Sequence, residues 1–311
     1  MAKNFTRRDF VGLMAAAGAA GCCSCPCGNA MPERLGVCSW SFRMPLDQVA
    51  AEMRRLGLHR IHLALQPFLE GDVRHGAAEG IDVRRKTEER LASGEWKLSA
   101  TMLSFSYEDY STLETIRRTG GIVPDAHWEA NKKLVQAAVR LTAELKAPFL
   151  TLHAGFLDES NPKAFKTYTE RVQFIADACG EAGVKLLLES GQETAEDLAR
   201  FLGMVKGVGV NFDPANMILY GKGDPVAAVP LLAPWIGHIH VKDAKFTKTP
   251  GTWGEEVVWG DGAVNASAFF EALRKGGYTG AFAIEREVGD SSARAADIAT
   301  AAKRFAAQFQ G

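Results

Sequence analysis

Short apolar runs alternate with longer amphipathic stretches from Leu35 to the end of the chain. The apolar runs are Leu35–Ser39, Arg60–Leu65, Lys97–Leu103, Pro148–His153, Val184–Glu189, Val208–Asp213, Ile236–Val241 and Ala281–Glu285. Between and after them, apolar residues recur at helical spacing over Leu46–Leu56, Asp82–Glu95, His127–Lys146, Pro162–Ala182, Glu193–Val205, Pro225–Ala233, Ala266–Lys275 and Ser292–Gln308. Several of these helices stop at glycine, as at Leu56-Gly57, Ala182-Gly183 and Lys275-Gly276-Gly277. Strands alternating with helices in this way predict parallel βα units. An open, doubly wound sheet is the alternative, but it lacks its nucleotide signature. Val37-Cys38-Ser39-Trp40-Ser41 stands where a G-x-G-x-x-G would follow the first strand. The pattern therefore predicts an α/β fold, a (β/α)8 TIM barrel formed as a single domain by residues 31–311.

Composition agrees with this. Of 311 residues, 47% are hydrophobic and 23% charged, the balance of a globular protein. Without residues 1–30 there are 33 basic against 36 acidic side chains. That gives no electrostatic footing for nucleic acid.

The first thirty residues read as an address. Thr6-Arg7-Arg8-Asp9-Phe10-Val11 matches the twin-arginine export signal, and Gly12 to Gly21 is apolar and made of small residues. At about ten residues the apolar segment is too short to span a bilayer. The chain is expected to be exported by the twin-arginine route and to be periplasmic. Ala20-Gly21-Cys22 resembles the end of a lipoprotein cleavage box, with Ala19 where a larger aliphatic residue is preferred. A lipid anchor at Cys22, the only membrane contact foreseen, thus stands beside cleavage after Ala30. Cys22, Cys23, Cys25 and Cys27 are spaced too tightly at Cys25-Pro26-Cys27 for the usual zinc pattern. Cys38, inside an apolar run, reads as a small buried hydrophobe.

A barrel opens its active site at the C-terminal ends of its strands. The fourth strand, PFLTLHAGF, carries His153, and the fifth, VKLLLESGQET, ends on Glu189. The sixth ends on Asp213, and the eighth, GAFAIERE, on Glu285. The seventh, IGHIHVKDA, carries His238 and His240, with Lys242 and Asp243 beyond. His238 and His240 share side-chain parity, so both can face the barrel interior and only one need bind metal. Each residue has an ordinary explanation when taken alone. A strand-end Glu can face a loop, Asp before Pro can cap a turn, and a single His can be structural. Three carboxylates converging on one barrel mouth would repel, however, and each costs several kcal/mol if buried unpaired. One divalent cation resolves the conflict, and a Glu/Asp/His/Glu donor set suits Mn²⁺, Mg²⁺, Co²⁺ or Zn²⁺.

LLLESGQET, NFDPANM, HIHVKDA and AIERE resemble the motifs of the xylose isomerase-like barrel superfamily of sugar isomerases and epimerases. That superfamily also includes endonuclease IV-type enzymes, inosose dehydratases and 3-keto-glycoside lyases. The resemblance runs from Leu35 to the C-terminus. By likeness to its ketose 3-epimerases, it implies Glu189, Asp213, His240 and Glu285 as metal ligands. It also implies Glu189 and Glu285 as the proton-transfer pair, on opposite faces of the substrate. The implied reaction removes a proton next to a carbonyl through an enediolate stabilised by the metal. Its return on the other face gives isomerisation or epimerisation, whereas loss of a β leaving group gives a lyase. A non-catalytic carbohydrate-binding barrel is a further alternative, and intact Glu189 and Glu285 speak against it.

The chain departs from the superfamily at the sixth strand, where Asn216 replaces the histidine of a common D-x-x-H. No histidine lies between Gly254 and Gly262, after the seventh strand. Both absences argue against a trinuclear DNA-repair site. The expected partner is a small-molecule sugar or glycoside, and no oligomeric state follows from the pattern. Candidate substrate contacts are His153, Asn216, His238, Lys242, Trp40, His62 and Glu193, with Phe105 and Trp253 as further aromatic walls. Several have bland alternatives: the aromatic residues as loop packing, Lys242 paired with Asp243, and Glu193 capping the next helix.

Overall fold

The computed structural model describes residues 32–69 and 79–309. The twin-arginine motif, Cys22 and its neighbouring cysteines, and the boundary at residue 30 lie outside the described residues. Eight parallel strands close the barrel: β1 (Leu35–Cys38), β2 (Arg60–Ala64), β3 (Lys97–Leu103), β4 (Phe149–Leu152), β5 (Lys185–Glu189), β6 (Val208–Phe212), β7 (Ile236–Val241) and β10 (Phe282–Ile284). Their order around the barrel is β1-β10-β7-β6-β5-β4-β3-β2, and Val37 is in register with both Ile61 and Ile284. Every apolar run read from the sequence contains one of these strands.

Helices cover the outside of the barrel. In the helix Leu46–Leu56, Val49, Ala50 and Met53 are buried, Asp47 lies in the first turn, and Arg54 and Arg55 lie in the last. The charges thus complement the helix dipole. Burying a side chain such as Met53 or Val49 contributes about 1.5–3 kcal/mol. Gly57 ends the helix at φ 69°, a left-handed conformation that glycine adopts without cost from a Cβ. Among the described residues no helix is long and apolar enough to cross a membrane.

Local geometry adds elements that the periodicity does not show. A 3₁₀ turn spans Ser39–Phe42, and short helices span Gln66–Leu69, Leu113–Thr119 and Pro214–Leu219. An antiparallel pair, β8 (Asp243–Lys245) with β9 (Glu255–Val257), follows β7. Each is too short to show a period, and all lie in the connections that follow barrel strands. Asp213-Pro214 is a helix start, with Asp as N-cap and Pro at the first helical position.

Candidate metal centre

Four strands deliver four buried side chains to one point. Glu189 ends β5, Asp213 follows β6, His240 lies in β7 and Glu285 follows β10. One ligand atom from each lies within 4.8 Å of the others. His240 Nδ1 is at the centre, 3.4 Å from Glu189 Oε1, 3.4 Å from Asp213 Oδ2 and 3.2 Å from Glu285 Oε2.

Asp213 resolves the two readings of its strand end by serving both. Its Oδ1 accepts from the backbone N–H of Ala215 (2.8 Å) and Asn216 (3.0 Å), capping the helix Pro214–Leu219. Its Oδ2 and the Nδ1 of His240 are fully buried and have no hydrogen-bond partner. Buried polar atoms without partners are rare and need an explanation. Here an unpartnered carboxylate oxygen faces an unpartnered imidazole nitrogen, with two further carboxylates beside them. Oxygen and nitrogen donors of this kind fit a borderline divalent cation, so the residues present fit the metal that the motifs imply.

Electrostatics bears on the same point. Burial pushes the Glu285 carboxyl up, but Lys242 and His240 outweigh it and hold Glu285 well below the usual carboxylate range. Burial likewise opposes ionisation of Glu189, and His153 and His240 overcome it. For Asp213 burial wins and its carboxyl is raised. Burial opposes a proton on His240, yet surrounding negative groups hold its pKa well above the ordinary histidine value. In the metal-free protein the His240 proton therefore contributes stability below about pH 6.5, the unfolded value, and that contribution is lost as pH rises through the folded value. Glu285 runs the other way: its contribution is present above the unfolded carboxylate pKa and lost as pH falls through the folded value. A cation must displace the His240 proton, so metal affinity measured by titration calorimetry should rise with pH, including above 6.5.

Lys242 is almost fully buried and does not pair with Asp243. Its Nζ donates to Glu285 Oε2 (3.0 Å), Glu287 Oε2 (2.5 Å) and Asn216 Oδ1 (3.3 Å). Asp243 instead accepts from the backbone N–H of Ala244, Gly260, Gly262 and Val264, pinning the loop after β9. Replacing Lys242 with Met leaves Glu285 buried without its cation. The metal-free variant should lose about 3–5 kcal/mol in urea unfolding, and added divalent metal should restore part of it.

The remaining sequence candidates divide into two groups. Trp40, Phe105, His153, Asn216 and Trp253 line a cavity of about 1090 Å³ above the centre, and Glu285 reaches its floor. Trp40, on the 3₁₀ turn, donates from Nε1 to Glu285 Oε1 at 2.7 Å. Asn216 donates to Glu189 Oε1 at 3.0 Å while accepting from Lys242, so it ties two of the charged groups together. Its place depends on Gly191, where a Cβ would come within 2.3 Å of the Asn216 Cβ. His153 Nε2 lies 3.5 Å from Glu189 Oε1.

His62, His238 and Glu193 do not line the cavity. His62 and His238 are fully buried below its floor, because inward-facing residues deep in a barrel fill its core. Glu193 is buried, which pushes its carboxyl up to about 8. The cap of the following helix is Thr194, whose side chain accepts from the Asp197 backbone N–H. Sequence reasoning passed over Asn211, Glu108, Tyr220 and Glu287. Glu287 was legible from parity, two residues beyond Glu285. Asn211 lies mid-strand in an apolar run, and only the closed barrel shows what it faces.

A parallel eight-stranded barrel with a carboxylate–histidine cluster at the C-terminal strand ends defines a class of fold and site. The sequence profile of the xylose isomerase-like TIM barrel family matches residues 97–308, and the chain belongs to that family. Among solved structures, a xylose isomerase domain protein from Planctomyces limnophilus is 26% identical, with TM-score 0.75, covering 84% of this chain and 91% of that one. An L-ribulose 3-epimerase is 17% identical, with TM-score 0.63, covering 89% and 92%. A probable 3-DHS dehydratase from Bacillus anthracis is also 17% identical, with TM-score 0.65, covering 89% and 100%. No protein of curated function matches the sequence.

Proposed function

We propose that the chain is a divalent-metal-dependent sugar isomerase or epimerase that acts by proton transfer next to a carbonyl. The observation that carries this reading is the pair of buried, unpartnered atoms, Asp213 Oδ2 and His240 Nδ1, set among Glu189 and Glu285 under an aromatic-walled cavity. Glu189, Asp213, His240 and Glu285 would hold the cation. When bound, it would polarise a carbonyl and offset the negative charge that develops as the neighbouring C–H ionises.

The residues divide the remaining work. Glu285 reaches the cavity floor and accepts the proton, with Trp40 and Lys242 fixing its two oxygens. Glu189 lies behind Asn216 and His153, and with His153 serves the other side of the substrate. Trp40, Phe105 and Trp253 offer faces on which sugar C–H groups stack. The test is NMR in D₂O with a panel of ketoses, watching one carbon-bound proton exchange. If no exchange and no released group appear across sugars and keto-glycosides, the proton-transfer reading falls.

A second reading is β-elimination from a 3-keto-glycoside, and His153 favours it. Burial opposes a proton there, but Glu189 and Glu108 outweigh it and raise the pKa, leaving an acid on the cavity wall that can protonate a leaving group. Release of an aglycone, with His153→Gln slowing release more than exchange, would select it.

Export through the twin-arginine route belongs to the same proposal and would place glycosides rather than sugar phosphates within reach. Replacing Arg7 and Arg8 by Lys should leave the protein in the cytoplasm on fractionation.

A further inference from the structure

His240 belongs to two buried clusters, and hydrogen bonding separates their roles. Above it are the carboxylates of the candidate centre. Below it, Cys38 Sγ, His62 Nδ1 and His240 Nε2 also lie within 4.8 Å of one another. The upper cluster contains unpartnered atoms, whereas the lower one is satisfied. His62 Nδ1 lies 3.0 Å from His240 Nε2, and His62 Nε2 lies 2.9 Å from Thr151 Oγ1.

The direction of this chain can be deduced from its far end. The Thr151 hydroxyl donates to the backbone carbonyl of Thr101 (3.1 Å) or to Met102 Sδ (2.9 Å). Neither acceptor has a proton to give back. When the hydroxyl makes either bond, Thr151 Oγ1 is left to accept from His62 Nε2–H, which leaves His62 Nδ1 with a lone pair. That nitrogen in turn accepts from His240 Nε2–H, so that once His240 gives up its second proton the lone pair falls on Nδ1, facing the carboxylates. The two tautomers of a free imidazole are close in energy, so one such chain is enough to decide between them. Asn211 also touches this nitrogen: its Nδ2 lies 3.1 Å from His240 Nε2 and 3.4 Å from Glu189 Oε2, and its Oδ1 lies 2.8 Å from His238 Nδ1, so an Nε2–H on His240 requires the Asn211 amide to turn and give up its contact with Glu189.

We propose that His62 is a positioning residue which, anchored through Thr151, holds His240 in the Nε2–H form so that Nδ1 is presented to a divalent cation. The Cys38–His62–His240 cluster is then a support for the metal centre and not a second metal site. This rests on the metal-binding reading of the upper cluster.

The test uses cobalt(II) as the probe metal, with affinity read from d–d absorption and chelator competition. Wild-type protein should bind about one equivalent, and failure to bind would remove the metal reading itself. Given wild-type binding, His62→Leu should weaken affinity by about 10–100-fold, the usual loss when the partner of a ligating histidine is removed. His62→Gln should recover most of it, since its carbonyl can accept from His240 while its amide donates to Thr151. Unchanged affinity in folded His62→Leu would overturn the proposal. So would a near-ultraviolet thiolate–cobalt band that Cys38→Ser abolishes. A measurement on zinc-loaded wild-type protein needs no variant. Long-range ¹H–¹⁵N correlation should show the proton of His240 on Nε2 and the metal on Nδ1, and the reverse pattern would refute it.

Discussion

Glu285→Gln should slow C–H exchange by about 10²–10⁴-fold at saturating metal, the range expected when a positioned proton acceptor is lost. Glutamine keeps the size of the side chain and can still accept from Trp40 Nε1 through its carbonyl oxygen. It loses the charge that draws Lys242 Nζ to Oε2, so the lysine is left to Glu287 and Asn216. Metal affinity should fall as well, because one of three negative charges around His240 Nδ1 disappears. Cobalt titration beside the exchange assay separates the two effects. If exchange is lost while metal content is restored at high cobalt, Glu285 acts on the proton. If exchange returns fully with metal, its role is ligation alone. Glu189→Gln should show the same kinetic loss, and a double variant with wild-type exchange would contradict both assignments.

The second large effect is at Asp213, whose two oxygens do different things. Asp213→Asn retains an oxygen able to cap the helix Pro214–Leu219 but removes the charge on the metal side. Asp213→Ala removes both. Both variants should lose metal affinity by an order of magnitude or more, in line with the cost of removing groups from a metal's surroundings. They should differ in stability when metal-free. Asp213→Ala should lose about 1 kcal/mol for the cap, and more because it leaves the Ala215 and Asn216 N–H groups buried without an acceptor. Asp213→Asn should match wild type in urea unfolding or exceed it, since one carboxylate is removed from a crowded, buried cluster. Equal metal-free stability of the two variants would mean that the cap contributes nothing.

Much of the site could be read along the chain because a parallel barrel places residues in an orderly way. Strand ends lie on one rim, so Glu189, Asp213 and Glu285 were identifiable from where apolar runs stop, while the choice of His240 over His238 came from the resemblance of the motifs. The short helix at Pro214–Leu219 was not read as one, although Asp-Pro is a helix start, because six residues carry no period. The ordinary alternative for Lys242, a pair with Asp243, fails for a related reason. Asp243 is its neighbour in sequence, but successive residues at a strand end point to opposite faces, and Lys242 meets Glu285 and Glu287 from the adjacent strand. His62 was read as an aromatic side chain at a strand end, and His238 as sharing the inward parity of His240. Their depth in the barrel could not be judged without the register.

By itself, then, the sequence determined the barrel, the rim on which the candidate site lies, and the candidate donor set Glu/Asp/His/Glu. These depend on periodicity and on strand order, both of which are local or topological. The tertiary structure decided which atoms face which. It showed that Asp213 uses one oxygen for a helix and the other for the centre, and that Asn216 joins Glu189 to Lys242. It also placed His62 between His240 and Thr151, whose hydroxyl lies beside the Thr101 carbonyl and the Met102 sulfur on the strand next to that of His62. Those choices are set by distances of about 3 Å between residues far apart in the chain, where hydrogen bonding is steeply dependent on geometry, and no linear pattern records them.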